Sequence, residues 1–536
     1  MIVSGNYSQV QLNYQPFWEK PPFFIWLQAL SMNLFGVNEF GARFPNAVCS
    51  IFSFIAIFLI GKKFHSQKFG LLWCLIYASL MLPHLYFKSG IIDPWFNLFI
   101  FLSIYNIFIF TNNPAGKREI LNALFAGVCL GFAVLTKGPA AIIIVGATIL
   151  AVYIWNKNLK ILLSKTFIFF AITTLFVSLS WFILEFLRGN GYVIKEFVSY
   201  QIRLFQTGDS GHDGTFAYHF IVLLLGCFPA SFLFIAGYKL RHELTPFQKL
   251  LRKFFICLFW VVLLLFSIFV KTKIVHYSSL CYYPLTFIST LVIIEYYKIL
   301  KFSFFMKYFY MIITALITSV FLALGFINPI INFLISKNFI KDEFARENLK
   351  AHVHWTGFEF VIGIVFLLGS IFIYIAINKK KSNFIYYGFI CNLIFIYSAI
   401  MVVIPKVELY TQHAAIEFYK ACASNKCYVE THSFKSYAYL FYSNRQPEDY
   451  KNPDQIISIE NLLKEGEKSG YSRLSFYANA NCYWMKHGKI DRPAYIIARK
   501  NQENEMMEGN DFKKLYDKNG FSFFVRMPFK SNIGGE

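Results

Sequence analysis

A glutamate–lysine pair and two prolines stand near the start of the chain, in Phe17-Trp18-Glu19-Lys20-Pro21-Pro22. A lysine here can hold a lipid phosphate, with Glu19 orienting it or meeting a metal. The bland alternative is an interfacial anchor, because prolines set the path of the chain and aromatics suit the headgroup level. Asp93-Pro94 offers a carboxylate at a membrane edge, where an acid is costly unless solvated or paired. It reads as a catalytic group or as an N-cap with proline in the first turn, and the two are compatible. Lys137-Gly138-Pro139 sets another ammonium in a tight turn, for phosphate or for snorkelling. Lys271, Lys273, His276 and Tyr277 precede Tyr282, Tyr283 and Pro284. Lysines in that place call for an anion such as phosphate. The segment 186–215 carries Arg203, Asp209, His212 and Asp213 among Gly208, Gly211 and Gly214. It reads as a long, glycine-rich loop of the kind that serves as a lid or a binding element, and its acids and histidine are only weakly specific for a metal. His352, His354 and Trp355 fit an aromatic belt better than a metal pair.

These residues need a scaffold, and the composition names it. The 536 residues are 56% hydrophobic, 20% aromatic and only 15% charged. Apolar runs of roughly 17–25 residues recur, the length that crosses about 30 Å of hydrocarbon. Such runs must be helical, since lipid offers backbone groups no partner. About twelve spans are expected: 44–60, 69–86, 95–111, 120–136, 138–155, 164–185, 216–237, 253–270, 278–297, 308–328, 355–377 and 384–404. Pro21 to Phe35 is apolar but short and reads as a helix in the interface. Met1 to Asn13 is polar, so no cleavable signal peptide is expected.

Short basic loops alternate with the rest: Lys62, Lys63 and Lys68; Lys117 and Arg118; Lys157, Lys160 and Lys165; Lys239 to Lys253; Lys298 to Lys307; Lys379 to Lys381. The positive-inside rule makes these cytoplasmic. Residues 1–43, 87–94, Lys137, 186–215, 271–277, 329–354 and everything after Pro405 then lie outside. The outer set holds most of the chemistry. The net charge of +21 is spread between apolar runs, which excludes a nucleic-acid footprint.

Composition changes near Pro405. Residues 405–536 read as a small α/β domain, with β-like runs at 427–430, 437–440 and 494–498 and helical pieces at 411–424 and 456–469. A Cys422–Cys427 disulfide is compatible with an oxidising compartment.

The motifs, taken in order, resemble one family. They are the Phe17–Pro22 segment, Leu34-Phe35-Gly36-Val37-Asn38-Glu39-Phe40-Gly41-Ala42-Arg43-Phe44-Pro45, Asp93-Pro94, Leu135-Thr136-Lys137-Gly138-Pro139, Gly226-Cys227-Phe228-Pro229-Ala230-Ser231 and Lys273-Ile274-Val275-His276-Tyr277. They are similar to the multispanning bacterial glycosyltransferases related to the lipid A aminoarabinose transferase and to protein O-mannosyltransferases. The resemblance covers roughly residues 1–300 and extends beyond them by architecture only. It implies a GT-C-like polytopic α-helical membrane protein of the bacterial inner membrane, with a periplasmic active face and periplasmic C-terminal domain. It implies transfer, with inversion, of a sugar from a polyprenyl phosphate to lipid A, another glycolipid or a protein. Asp93 would be catalytic. Lys20, Lys137, Arg203, Lys273 and Tyr277 would hold the donor phosphate, and Glu19, His212 and His276 would meet substrate or a divalent metal. The division expected is 1–43 as outer loop and interfacial helix, 44–404 as transferase domain and 405–536 as the α/β domain. Family members begin with a helix and an acidic motif that precede a segment like Ser4-Gly5-Asn6-Tyr7. Met1 falls after that motif, so an N-terminal truncation or a late start is expected, with the main family base missing. The rivals are a transporter or flippase of lipid-linked sugars, disfavoured by few ionisable groups inside the spans, and an inactive lipid-binding homologue.

The topology has a direct check. Single cysteines placed at Ser4, Lys88 and Lys271, in a chain freed of its ten native cysteines, are expected to react with a membrane-impermeant maleimide added outside the cytoplasmic membrane. Reaction only after permeabilisation would reverse the orientation.

Overall fold

The computed structural model describes residues 1–112, 117–206, 214–237, 244–296, 303–381, 383–434, 436–468, 473–507 and 511–528. The chain forms two compact units. The first comprises Met1–Gln11, Pro16–Val320 and Val361–Tyr397, and the second Leu12–Gln15, Phe321–Phe360 and Ser398–Glu536. The segments 321–360 and 398–404 thus cluster with the C-terminal residues rather than with the helical bundle.

Two short strands, β1 (Gln11–Leu12) and β2 (Gln15–Pro16), come first in the chain. The first unit is helical because its apolar runs have no other way to satisfy their amides in lipid. Its elements are α1 (Phe23–Phe35), α2 (Glu39–Phe64), α3 (Gln67–Ala78), α4 (Met81–Phe87), α5 (Asp93–Asn112), α6 (Lys117–Lys137), α7 (Ala140–Trp155), α8 (Lys165–Leu187), α9 (Gly191–Gln206), α10 (Tyr218–Gly226), α11 (Ala230–Gly237), α12 (Pro246–Leu264), α13 (Tyr282–Leu291) and α14 (Phe304–Ala323). Among the described residues nine helices are long and apolar enough to cross a membrane, or up to eleven when each bent pair is one span. The expected interfacial segment is α1, an apolar helix of 13 residues.

Two expected spans are broken. The 69–86 run turns by 78° between α3 and α4, and the 216–237 run by 111° between α10 and α11. Pro83 lacks the N–H that would bond the Ser79 carbonyl one turn back, and Pro229 interrupts the second run in the same way. One carbonyl at each break is met from a distance: Ser79 O, the one Pro83 leaves without its donor, and Phe228 O, beside Pro229. Asn392, 3% exposed, donates from Nδ2 to Ser79 O at 3.0 Å and to Phe228 O at 3.4 Å.

A second departure lies in 186–215, read above as a loop. Residues 191–206 form α9. Its apolar positions Val193, Phe197 and Val198 alternate with Lys195, Glu196 and Ser199, so it is amphipathic and too polar to register as a span.

The second unit contains α15 (Ile327–Ser336), α16 (Glu343–Asn348) and an α/β fold; α17 (Phe360–Lys379) and α18 (Asn383–Thr411) precede that fold in the chain. The fold comprises α19 (His413–Cys422), β3 (Tyr428–His432), α20 (Ala438–Tyr442), α21 (Pro453–Lys468), α22 (Arg473–His487), β4 (Ala494–Arg499), α23 (Glu503–Met507), β5 (Lys513–Lys518) and β6 (Phe521–Arg526). The sheet order is β3-β4-β6-β5. β3 pairs parallel with β4, and β6 pairs antiparallel with both β4 and β5. The expected strand at 437–440 is instead helix α20, which carries Tyr439 into the core. Asn519-Gly520 closes the β5–β6 hairpin with φ of 48° and 77°, the left-handed pair that an Asn-Gly turn supplies. Cys422 and Cys427 are free thiols.

Glu430 on β3 is fully buried. It accepts from Tyr439 Oη at 2.8 Å, Asn481 Nδ2 at 2.9 Å and Thr431 N at 3.0 Å. Burial pushes its carboxyl up to about 7, against the pull of these donors. The folded state therefore favours the proton. Its stabilising effect is complete below the unfolded carboxyl value and is lost as pH rises through about 7. The α/β fold should lose roughly 2–3 kcal/mol between pH 5 and pH 8 from this group. Hydrogen exchange of the β3 and β4 amides in the full chain checks this, and Glu430→Gln is expected to flatten the dependence.

Candidate functional site

α5 opens with Asp93, which is 3% exposed. Lys137 closes α6 and donates to Asp93 Oδ1 at 2.6 Å. His276, on the 3-10 turn Val275–Cys281, brings Nε2 to 3.7 Å from Asp93 Oδ2. Three segments distant in sequence thus meet on one carboxylate. Among the described residues Asp93 accepts no bond from its own first-turn amides, so its side chain serves the charge cluster rather than the helix cap.

The surroundings hold this geometry. Asn46 Nδ2 donates to Ser89 O and Ile91 O, both at 2.7 Å, and so clamps the turn that leads into α5. Asn97, one turn after Asp93, donates to Tyr86 Oη at 2.5 Å and Ser279 Oγ at 2.7 Å. Ser279 Oγ donates in turn to the His276 carbonyl at 2.5 Å. Gly138 ends α6 with φ of +94° and returns its N–H to Val134 O at 2.7 Å. A side chain there would be strained and would press on Phe197. The turn therefore requires glycine to present Lys137 as it does.

Lys137 Nζ lies 4.6 Å from the Tyr277 ring centroid and 5.6 Å from that of Phe96. Lys20 Nζ lies 5.3 Å from the Tyr200 ring centroid. Lys20, Lys137, Tyr277, Phe96, Gln201 and Thr272 line one cavity of about 90 Å³. Burial, and next the charge of Lys137, bring the Lys20 ammonium down to about 8, while Glu19 and Asp93 pull the other way. Two ammoniums confined to one small space repel each other unless an anion joins them.

The remaining sequence candidates fall elsewhere. Lys273 Nζ donates to Phe266 O, Ser267 O and Val270 O at 2.8, 2.9 and 2.6 Å. Its ammonium is spent on the carbonyl end of the preceding helix, a favoured place for a cation. The expectation that Lys273 holds donor phosphate does not fit that engagement. Glu19 is half-buried and has no described hydrogen bond. The Arg203 side chain, Asp209, His212 and Asp213 lie outside the described residues. Among the described residues no three His, Cys, Asp or Glu side chains gather as a metal site. His352 and His354 are exposed, and Trp355 donates to Tyr410 Oη at 3.0 Å. Tyr200 and Gln201 were missed. The amphipathic period of α9 was their available signal.

Residues 19–183 match the family profile described as dolichyl-phosphate-mannose-protein mannosyltransferase. Among relatives, the undecaprenyl phosphate-alpha-4-amino-4-deoxy-L-arabinose arabinosyl transferase of Wigglesworthia glossinidia brevipalpis is 26% identical over 294 residues, 53% of this chain and 51% of that one. The protein of the same name from Photorhabdus laumondii is 28% identical over 287 residues, again 53% and 51%. The aligned region therefore spans about half the length of these relatives. The crystal structure of ArnT from Cupriavidus metallidurans bound to undecaprenyl phosphate superposes with a TM-score of 0.71 at 14% identity, covering 100% of this chain and 93% of that one. Its apo form gives 0.72 at 12%, covering 98% and 91%. The chain is a polytopic α-helical membrane protein with the GT-C fold. Over about half of its length it is similar to the aminoarabinose transferases and, over residues 19–183, to the protein mannosyltransferase profile.

The Asp93–Lys137 pair should behave as a unit. Removing one partner leaves a buried charge alone and costs about 3–5 kcal/mol, whereas replacing both by apolar residues costs far less. Thermal unfolding in detergent is therefore expected to show Asp93→Leu well below the double variant Asp93→Leu/Lys137→Met.

Proposed function

We propose that the protein is an inverting glycosyltransferase that takes its sugar from a polyprenyl phosphate at the outer face of a bacterial inner membrane. The observation that carries this reading is the convergence of Lys20 and Lys137 on one cavity beside Tyr277. Two cations and a phenol at headgroup depth suit a lipid phosphate monoester or diester. The undecaprenyl phosphate named for the structural neighbour supports the same donor class. The names of the relatives favour an aminopentose carried on undecaprenyl phosphate, and the family resemblance of the motifs implies a lipid A-like acceptor.

The chemistry follows from the charges. An acceptor hydroxyl attacks the anomeric carbon opposite the phosphate. The new C–O bond forms as the bond to the phosphate oxygen breaks, and its electron pair stays on the phosphate. Lys20 and Lys137 stabilise that developing charge, and Tyr277 can donate to it. The acceptor proton passes to the Asp93–His276 pair, where Asp93 Oδ2 is the oxygen not bonded to Lys137.

Membranes holding the full chain, given a labelled polyprenyl-phosphate sugar and lipid A-like acceptors, test this reading. Transfer to lipid is expected, falling about a hundredfold in Lys20→Ala and in Lys137→Ala. The value of kcat/KM should fall as pH rises through about 8, where Lys20 loses its proton, and Lys20→Arg should move that limb upward. Uptake of labelled donor with no new glycolipid would replace the enzyme by a carrier.

A further inference from the structure

A second cationic pocket is built on α4 and on Lys88, at the start of the turn that leads to Asp93. It has a volume of about 280 Å³. Its lining shares no residue with the Lys20–Lys137 cavity. Its polar members are Ser50 on α2, Tyr77 on α3, His84 on α4, Lys88 just after α4, and Tyr397 on α18. Ala47, Phe54, Phe87 and Leu393 supply apolar walls.

Two of these groups meet the Tyr397 ring. Lys88 Nζ stands 4.9 Å from the Tyr397 ring centroid. The His84 ring meets Tyr397 edge-on, with centroids 4.5 Å apart and planes at 76°. His84 Nδ1 lies 3.2 Å from the Ala78 carbonyl at the helix break. That bond makes Nδ1 the donor and leaves Nε2 an acceptor in the neutral ring, suited to a headgroup hydroxyl. The break between α3 and α4, forced by Pro83, is what brings His84 and Lys88 to this wall. A continuous helix would have carried them along the span instead.

Lys88 also stands out by charge. It is the only Lys or Arg in the outer-set segment 87–94, where positive charge runs against the usual bias. It is exposed, and among the described residues it pairs with no carboxylate. The nearest acid along the chain, Asp93, is engaged by Lys137 and His276. A cation beside an apolar-walled pocket, with an imidazole, a hydroxyl and a phenol, suits a phosphate joined to an acyl or prenyl chain.

We propose that this pocket binds the phosphate of a second lipid, with Lys88 as its principal contact. Lys88 and Asp93 are five residues apart, so their Cα atoms lie within about 18 Å. A phosphate held at Lys88 therefore sits within one glycolipid headgroup of the cavity at Lys137. Two sources carry this chemistry, a phosphorylated acceptor and a bulk phospholipid. Their separation rests on the transferase reading, whereas the binding site itself does not.

The test counts bound lipid phosphate on the full chain in detergent, by native mass spectrometry during titration with dodecyl phosphate. Two are expected on the wild type. Lys88→Gln should weaken one by about tenfold and leave one, with Lys88→Arg restoring it. Lys20→Ala/Lys137→Ala should lose the other. Inorganic phosphate and dodecyl glucoside should not saturate the Lys88-dependent site, since each lacks half of what it recognises. Two unchanged sites in Lys88→Gln, or full saturation by inorganic phosphate alone, would overturn the proposal. Two unchanged sites in Lys20→Ala/Lys137→Ala would instead overturn the donor site. A raised acceptor KM in Lys88→Gln assigns the pocket to the acceptor, and an unchanged one assigns it to bulk phospholipid.

Discussion

The structure turns on a single charged contact in an apolar bundle, the bond from Lys137 to Asp93. Neither group is stable alone at this depth, since an unpaired charge in low dielectric costs several kcal/mol. Pairing solves that problem and creates another, because it ties the C-terminal end of α6 to the first residue of α5. The architecture supports this tie from several sides. Gly138 permits the turn after Lys137, Asn46 holds the backbone before Asp93, and Asn97 joins α5 to the turn that carries His276. A cluster assembled from three distant segments is thereby rigid enough to keep two lysines near one cavity.

The same constraint, that no polar group be stranded, explains the broken helices. Prolines at 83 and 229 leave carbonyls without their usual donors. Asn392 supplies a shared amide to both breaks. Breaks secured in this way are structural features, and each brings polar residues to a depth that a straight helix would reserve for apolar ones. The α3–α4 break places His84 and Lys88 on a pocket wall. Lys273 shows the same economy, closing three carbonyls at the end of a helix.

The sequence motifs marked Lys20, Asp93, Lys137, His276 and Tyr277 as members of outer-set segments, but not which of them touch. Lys137 had read equally as a snorkelling lysine, and Lys273 looked as suited to phosphate as Lys20. Spacing along the chain could not separate them, because the deciding partners, Asp93 for one and backbone carbonyls for the other, come from packing. α9 escaped notice since a half-polar helix gives no span signal, and Tyr200 and Gln201 escaped with it. In the α/β fold, β3 and β4 were visible as apolar runs. The 437–440 run was misread because four residues carry too little periodicity to distinguish strand from helix. The Asn519-Gly520 hairpin was legible from turn chemistry alone and was passed over.

What the sequence determined by itself was the solvent the chain was built for. Long apolar runs oblige helices in lipid, and the placement of lysines and arginines orders the loops into two sets, because both follow from transfer energies summed residue by residue. Tertiary structure alone decided which charges pair, which carbonyls take a lysine, and where two breaks are sealed by one asparagine. Those outcomes depend on distances of a few ångströms between segments far apart in the chain, and an energy that falls off so steeply leaves no mark in local composition.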